Sequence, residues 1–207
     1  NWLSVSCGYY HAVAVKSNNT LWVWGANSNG QLGLENTTYY SSPKQVGSLT
    51  NWLNISCGKY FTASIKTDGT LWAWGENSSG QLGFGNTTYY SSPKQVGALT
   101  TWSSAAGAAF HSLAIKTDGT LWSFGLNNFG QLGLGNTTSP ISTFTEITAL
   151  GTNIMSLWNV SGYDGFTIAQ KSNGDIVVTG ANSQNPLGTG TGGNISTWTL
   201  CNAWKNG

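Results

Sequence analysis

Trp72-Ala73-Trp74-Gly75-Glu76-Asn77-Ser78-Ser79-Gly80-Gln81-Leu82-Gly83 is the stretch that decides the fold, because the chain contains close copies of it. The same pattern begins at Trp22 and again at Trp122, so the unit recurs every fifty residues. Self-similarity at a period of about 20 to 50 residues is typical of stacked or radially arranged supersecondary units. The repeat therefore predicts the architecture before any single residue does.

Short β-like runs surround this stretch in the second unit. Residues 51–57, 60–66 and 70–75 each alternate apolar and polar side chains, as half-buried strands do. Asp68-Gly69 separates the second run from the third, and this pair favours a two-residue type I′ hairpin turn, which needs positive φ at both positions. A weaker fourth run is expected at residues 92–96, with proline at its entry. The equivalent turn pairs of the other units are Asn18-Asn19, Asp118-Gly119 and Asn173-Gly174.

Four strands in every fifty residues predict an all-β protein, a β-propeller built from about four four-stranded blades. The expected repeats are approximately 1–50, 51–100, 101–155 and 156–207, within one propeller segment that spans residues 1–207. The fourth copy has drifted, because Val177 and Thr179 replace the tryptophan pair. We expect the segment to be part of a larger propeller or to be completed by partner copies, and the start in mid-repeat without methionine predicts a fragment or a processed product.

The composition excludes several classes of protein. Charged residues are 7% of the 207 residues, and the net charge is +1 with no arginine, so a nucleic-acid-binding surface is not expected. No apolar run approaches the roughly 20 residues of a membrane-spanning helix, so membrane insertion is not expected either. Aromatic residues at 13% argue against disorder. The composition predicts a folded, turn-rich β protein.

A longer string carries a family resemblance. Gly-x-x-His-(Thr/Ser)-x-Ala-(Ile/Val)-Lys-x-Asp-Gly-x-Leu-x-x-(Trp/Phe)-Gly-x-Asn-x-x-Gly-Gln-Leu-Gly is matched by residues 58–83 and 107–133, and nearly by residues 8–33. This string resembles the repeat of the regulator-of-chromosome-condensation family. The resemblance covers essentially the whole chain and implies a β-propeller, usually of seven blades, each a four-stranded sheet. We expect a bacterial or viral member.

The resemblance leaves the function open, because family members exchange nucleotides on a small GTPase, inhibit β-lactamases or sense ultraviolet light. The exchange factor's β-wedge and basic tails are not seen in this sequence. The photoreceptor's arginine clusters are also missing, because the chain has no arginine.

The residues that suggest chemistry recur at the repeat period, which favours structural roles. His11 and His111 occupy one repeat position, where the second copy has Phe61 and the fourth Gly165 or Phe166, so we expect a packed aromatic site. Cys7 and Cys57 share a position with Ala106 and Ser161, which predicts a small buried side chain rather than redox or metal chemistry. Asp68 and Asp118 belong to turns, and the other carboxylates considered are scattered: Glu35, Glu76, Glu146 and Asp164. No catalytic, cofactor or metal site is predicted.

Aromatic residues are the remaining candidates. The tryptophans of the third run are expected in the core between blades, with a sugar-binding platform as the alternative. Tyr39-Tyr40 and Tyr89-Tyr90 lie in polar loops, where adjacent extended residues point opposite ways, so one ring can pack while its neighbour stays exposed. Tyrosine suits binding surfaces because it offers area and a hydroxyl at low entropic cost. These four tyrosines are the predicted partner-binding loops.

The sequence therefore predicts a non-enzymatic structural or protein-interaction module without cofactors. The first alternative is a carbohydrate-binding propeller that uses exposed tyrosine or tryptophan, and the second is a protein inhibitor or an exchange-factor-like regulator. Expected partners are proteins, with a homo-oligomer or a glycan as further options. Low charge with many Asn, Thr and Gly residues favours an extracellular or virion-associated setting.

Overall fold

A computed structural model describes residues 1–158, 165–190 and 192–201. These residues form four four-stranded antiparallel sheets. The first blade comprises β1 (Trp2–Cys7), β2 (His11–Lys16), β3 (Leu21–Gly25) and β4 (Tyr40–Gln45). The second blade comprises β5 (Trp52–Cys57), β6 (Phe61–Lys66), β7 (Leu71–Gly75) and β8 (Tyr90–Gln95). The third blade comprises β9 (Trp102–Gly107), β10 (His111–Lys116), β11 (Leu121–Gly125) and β12 (Ile141–Glu146). The fourth blade comprises β13 (Ile154–Trp158), β14 (Phe166–Lys171), β15 (Ile176–Gly180) and β16 (Ile195–Leu200).

Each blade is a meander in which consecutive strands are neighbours. The first strands of successive blades contact one another, β1 with β5, β5 with β9 and β9 with β13, which sets the blades side by side. The predicted all-β architecture of four-stranded blades is confirmed. Among the described residues, the only helix is the 3-10 turn Thr148–Leu150, and no helix there has the length and apolar character to cross a membrane.

The predicted type I′ turn is wrong, although the hairpin lies where the sequence placed it. Gly69 has a φ of 76°, but Asp68 is not among the residues with positive φ. Gly69 N–H donates to Lys66 O at 2.9 Å and Lys66 N–H donates to Thr70 O at 3.0 Å, which closes a three-residue loop over residues 67–69. The Asp68 carboxylate accepts bonds from the amide and the hydroxyl of Thr70, at 3.0 and 2.6 Å. These bonds hold Asp68 in an ordinary turn conformation and leave the positive φ to glycine alone.

Apolar side chains of one blade pack against tryptophans of the next. Val13 and Val23 of the first blade share a buried cluster with Trp52 and Trp74 of the second. The Trp74 indole N–H also donates to the carbonyl of Gln31 at 3.0 Å. Similar clusters lie at the next two interfaces, so the core consists of the surfaces between blades.

The first blade has one uncovered face. Trp2 is 52% exposed, whereas its repeat counterparts Trp52 and Trp102 are 1% and 2% exposed. Cys57 is buried as predicted, but Cys7 is exposed. The expectation of a small buried side chain is therefore wrong for Cys7, because β1 has no described blade packed on that side. The counterpart in the fourth copy, Ser161, lies outside the described residues.

The drifted fourth blade keeps an aromatic ring at its interface with the third blade, but the ring comes from a different strand. The glycine that ends the repeated stretch meets different side chains at each interface: Trp74 and Pro93 at Gly33, Phe124 and Phe144 at Gly83, and Trp198 at Gly133. Thr179 occupies the strand position of Trp74, and its hydroxyl donates to Gly130 O at 2.8 Å. The ring that β15 lacks is therefore supplied by β16.

Gly75, which ends the Trp-x-Trp-Gly motif, is expected to tolerate no side chain. Its φ is +105°, and a Cβ there would lie 2.6 Å from Tyr60 O and 2.7 Å from Phe61 Cα, both on backbone. The strained φ and the overlap of the new Cβ with these backbone atoms together predict that Gly75→Ala lowers the free energy of unfolding by roughly 2–3 kcal/mol. Gly97→Ala is the matched control, because φ is +65° but no atom lies within 4 Å, and it should cost only about 1 kcal/mol. Chemical denaturation measures both, and equal losses would contradict the overlap argument.

Candidate functional site

The two histidines lie buried in blade interfaces. His11 Nε2 is 3.1 Å from Thr62 Oγ1, and His111 Nε2 is 2.9 Å from Thr167 Oγ1. Both threonine hydroxyls donate to a backbone carbonyl, at 2.9 and 2.8 Å, so each accepts its second bond from a histidine Nε2–H. Burial lowers the pKa of both imidazoles from 6.5 to about 4. Both histidines are therefore neutral, buried rings that bond to the neighbouring blade and stabilise the packing of the blades.

The turn aspartates are likewise engaged in local structure. The Thr70 hydroxyl and then its amide lower the pKa of Asp68, and the Thr120 amide and then its hydroxyl lower the pKa of Asp118. Glu76 accepts a bond from Ser78 Oγ at 2.8 Å. Within the ranges that the structure describes, no three His, Cys, Asp or Glu residues come together as metal ligands could. Asp164 lies outside those ranges.

The predicted tyrosine loops divide each pair between core and surface. Tyr39 is 63% exposed and Tyr89 is 45% exposed. Tyr40 and Tyr90 are half-buried and pack against the cluster between the first and second blades. The loop prediction holds for Tyr39 and Tyr89 but is wrong for Tyr40 and Tyr90, which are the first residues of β4 and β8. Each pair thus presents one ring to solvent and packs the other. At the corresponding place in the third repeat, the structure has a cis Ser139-Pro140 bond and no tyrosine.

The tryptophans of the third strands are mostly committed to packing. Trp72 is half-buried, its indole N–H donates to Thr70 Oγ1 at 2.8 Å, and Lys66 Nζ lies 3.5 Å from its ring centroid. Trp52 meets Trp72 edge-on at 5.9 Å between centroids. The same lysine–tryptophan arrangement recurs in the first and third blades. A lysine over the ring covers one face of the indole, and that face is closed to a sugar.

A tyrosine–lysine cluster at the first turns of two blades was missed by the sequence analysis. Tyr9 lies against Tyr10 with ring centroids 4.3 Å apart and ring planes inclined by 54°, and it meets Tyr60 edge-on at 6.0 Å. Lys59 Nζ lies 5.3 Å from the Tyr9 ring and 5.2 Å from the Tyr60 ring. A cavity of about 240 Å³ opens beside the cluster, next to Cys7 and Cys57. The sequence contained a signal for this cluster, because an aromatic residue precedes the second strand of the blade at Tyr10 and again at Tyr60.

The repeat pattern matches known sequence profiles. Two profiles of the Regulator of chromosome condensation (RCC1) repeat match the chain, one at residues 18–65 and 68–115 and the other at 2–31, 52–81 and 105–131. Over 48 residues the chain is 44% identical to the human protein "Probable E3 ubiquitin-protein ligase HERC6" and 38% identical to the Arabidopsis thaliana "Ultraviolet-B receptor UVR8". Those segments are 23% of this chain but only 5% and 11% of the two relatives.

The fold matches solved structures at low sequence identity. Prp20p of Saccharomyces cerevisiae, described together with its binding properties to Gsp1p and histones, superposes with a TM-score of 0.84 at 19% identity. That match covers 100% of this chain and 51% of Prp20p. Human WBSCR16 superposes with a TM-score of 0.81 at 20% identity, over 97% of this chain and 52% of that one. The yeast protein has also been solved bound to Kap60. The chain spans about half the length of these structures, so the likeness shows the fold alone.

Proposed function

Because this chain belongs to the regulator of chromosome condensation (RCC1) repeat family, we propose that it is a non-enzymatic β-propeller module that binds protein partners. The observation that carries the proposal is the pair of exposed rings, Tyr39 and Tyr89, on loops whose backbone is anchored by a packed neighbour. Exposed tyrosines on rigid loops provide contact area with little loss of side-chain entropy. The buried histidines and the turn aspartates are already engaged by the fold.

The similarity to Prp20p, which has been described for its binding to Gsp1p and histones, supports a regulator of the exchange-factor type as the second candidate. An inhibitor that docks on a single target protein is the same kind of module with a different partner. The composition, with 7% charged residues, supports an extracellular or virion setting. We propose a bacterial or viral source for the chain. Binding of carbohydrate has less support, because the indole of Trp72 already carries Lys66.

Photo-crosslinking from the tyrosine loops tests the proposal. With benzoylphenylalanine in place of Tyr39 or Tyr89, we expect covalent capture of a single protein species from native material, identified by mass spectrometry. The same group in place of Asn173, in an exposed turn of the fourth blade, is the matched control and should capture none of that species. Tyr39→Ala with Tyr89→Ala should weaken the binding of the captured protein about tenfold or more, as loss of an aromatic hot spot does.

Equal capture from Asn173 would contradict a tyrosine-based surface. Binding of a glycan that is lost with the two tyrosine substitutions would replace the protein partner by a sugar. Turnover of any substrate by the purified chain would contradict the non-enzymatic assignment.

A further inference from the structure

Glu35 holds a repeat position with positive φ at which the second and third repeats have glycine. Its φ is +61°, while Gly85 and Gly135 hold the equivalent positions with a φ of +75° each. The backbone is held there by an inter-blade bond, because Glu35 N–H donates to Ser91 O at 2.8 Å and Gly85 N–H donates to Ser142 O at 2.8 Å. A non-glycine residue pays a conformational penalty in this region that glycine does not. Only the first repeat has a non-glycine residue at this strained position. Backbone strain of this kind is often found at functional sites, so the Glu35 carboxylate is a candidate binding group.

The cleft beside Glu35, between the first and second blades, is large and mostly apolar. It has a volume of about 450 Å³, and its walls include Leu34, Leu49, Trp72 and Pro93. Leu49 is 48% exposed although it faces this space. The cleft therefore offers apolar area with one carboxylate at its rim.

The neighbouring interfaces show what closes such a cleft. Between the second and third blades, Phe144 takes the position of Pro93 and lies against Trp102, with ring centroids 5.0 Å apart. Between the third and fourth blades, the cavity is about 230 Å³ and is lined by Trp198 and Glu146. The small ring of Pro93 leaves the first cleft open, so the wide space and the strained carboxylate occur together.

The charge at the rim is unmatched among the residues that the structure describes. Glu35 is exposed, and its carboxylate makes no hydrogen bond or ion pair with any residue in the described ranges. Lys66 Nζ already lies over the Trp72 ring, so this indole contributes apolar area rather than an attraction for a second cation. An aliphatic stem ending in a positive charge complements such a site, because the stem can cover apolar walls while the charge meets the carboxylate.

We propose that this cleft binds an arginine side chain of a protein partner, with Glu35 as the group that pairs with the guanidinium. Arginine fits better than lysine because its planar head can make two parallel bonds to one carboxylate and its charge is weakly hydrated. The inference rests on the proposed protein-binding function and names the partner's chemistry at one place on the surface.

Titration of the full chain with N-acetyl-arginine amide tests the assignment. We expect saturable changes in the NMR resonance of the Trp72 indole N–H, and no change with the citrulline analogue, which has the same shape but no charge. Glu35→Gly should weaken binding roughly fivefold, the effect of a partly exposed ion pair. The melting temperature should not fall, because Glu35→Gly restores the residue that the other repeats have.

The double variant Glu35→Gly with Gly85→Glu keeps the net charge and moves the carboxylate to the next interface. A Cβ at position 85 would meet only Thr143 Cγ2, at 3.5 Å, so the change is tolerated sterically. This variant should bind as weakly as Glu35→Gly, and Glu146→Gln should bind like the native chain. Equal response to citrulline, or full binding by the double variant, would overturn the assignment. Crosslinking from Tyr39 and Tyr89 does not depend on Glu35, so failure here and failure of the protein-binding function can be told apart.

Discussion

Trp52→Ala is expected to lower the free energy of unfolding by about 3–5 kcal/mol, the loss typical of a large aromatic side chain removed from a packed core. Trp52 is 1% exposed and lies between the first two blades, against Trp72 and Trp74. Removing it leaves a cavity at an interface that joins two blades, and the surrounding sheets cannot collapse into it freely. Urea denaturation of the variant and the native chain measures the loss.

Trp2→Ala is the matched control, because Trp2 occupies the same repeat position on the uncovered face. It is 52% exposed, so the loss should not exceed about 1.5 kcal/mol. If Trp52→Ala does not fold, Trp52→Phe provides the comparison. That variant should lose less, since phenylalanine refills part of the space and the Trp52 Nε1–H has no hydrogen-bond partner in the part of the chain that the structure describes. Similar losses at Trp2 and Trp52 would contradict the view that inter-blade burial supplies the stability.

Acid is expected to destabilise the chain through the two buried histidines. Burial lowers the pKa of His11 and His111 from 6.5 to about 4. Between these values the unfolded chain binds more protons than the folded one. The two histidines therefore cost no stability well above pH 6.5, and the free energy of unfolding falls as the pH drops towards 4. Each histidine accounts for a loss of about 3 kcal/mol once the pH is below 4, at roughly 1.4 kcal/mol for each unit of pKa shift.

His11→Phe isolates this contribution, because the second blade already has Phe61 at the same position, beside a glycine in both blades. Thr62 still donates to Gln31 O in the variant, so no donor is left unpaired. Equilibrium unfolding measured from pH 7 to 4.5 should show a shallower loss of stability for His11→Phe than for the native chain. This window lies above the titration of Asp68 and Asp118, whose pKa values are lowered. Identical slopes for the two proteins would contradict the role of His11.

The fold was predictable because its determinants are local and are repeated. Alternating residues and the Asp68-Gly69 pair placed the first three strands of the second blade and its hairpin correctly, but not the turn type. The fourth strand was expected at residues 92–96 with proline at its entry, whereas β8 is Tyr90–Gln95 and has Pro93 in its interior. The turn depends on where the Asp68 carboxylate finds its donors, and both are on Thr70. The exposed and packed members of the tyrosine pairs also followed from strand geometry, while their binding role stays a prediction.

The sequence by itself determined the blade, because glycines with positive φ, turn residues and alternating apolar positions act within fifty residues. Only the tertiary structure decided which copies of a residue are buried. Trp2 and Trp52 hold the same position in the repeat sequence, but only Trp52 has a described blade packed against it. The tertiary structure also showed that Trp198 supplies the ring missing at Thr179, and that Glu35 stands at an open cleft. These features arise where blades meet, from side chains far apart in the chain, and blade packing brings them together.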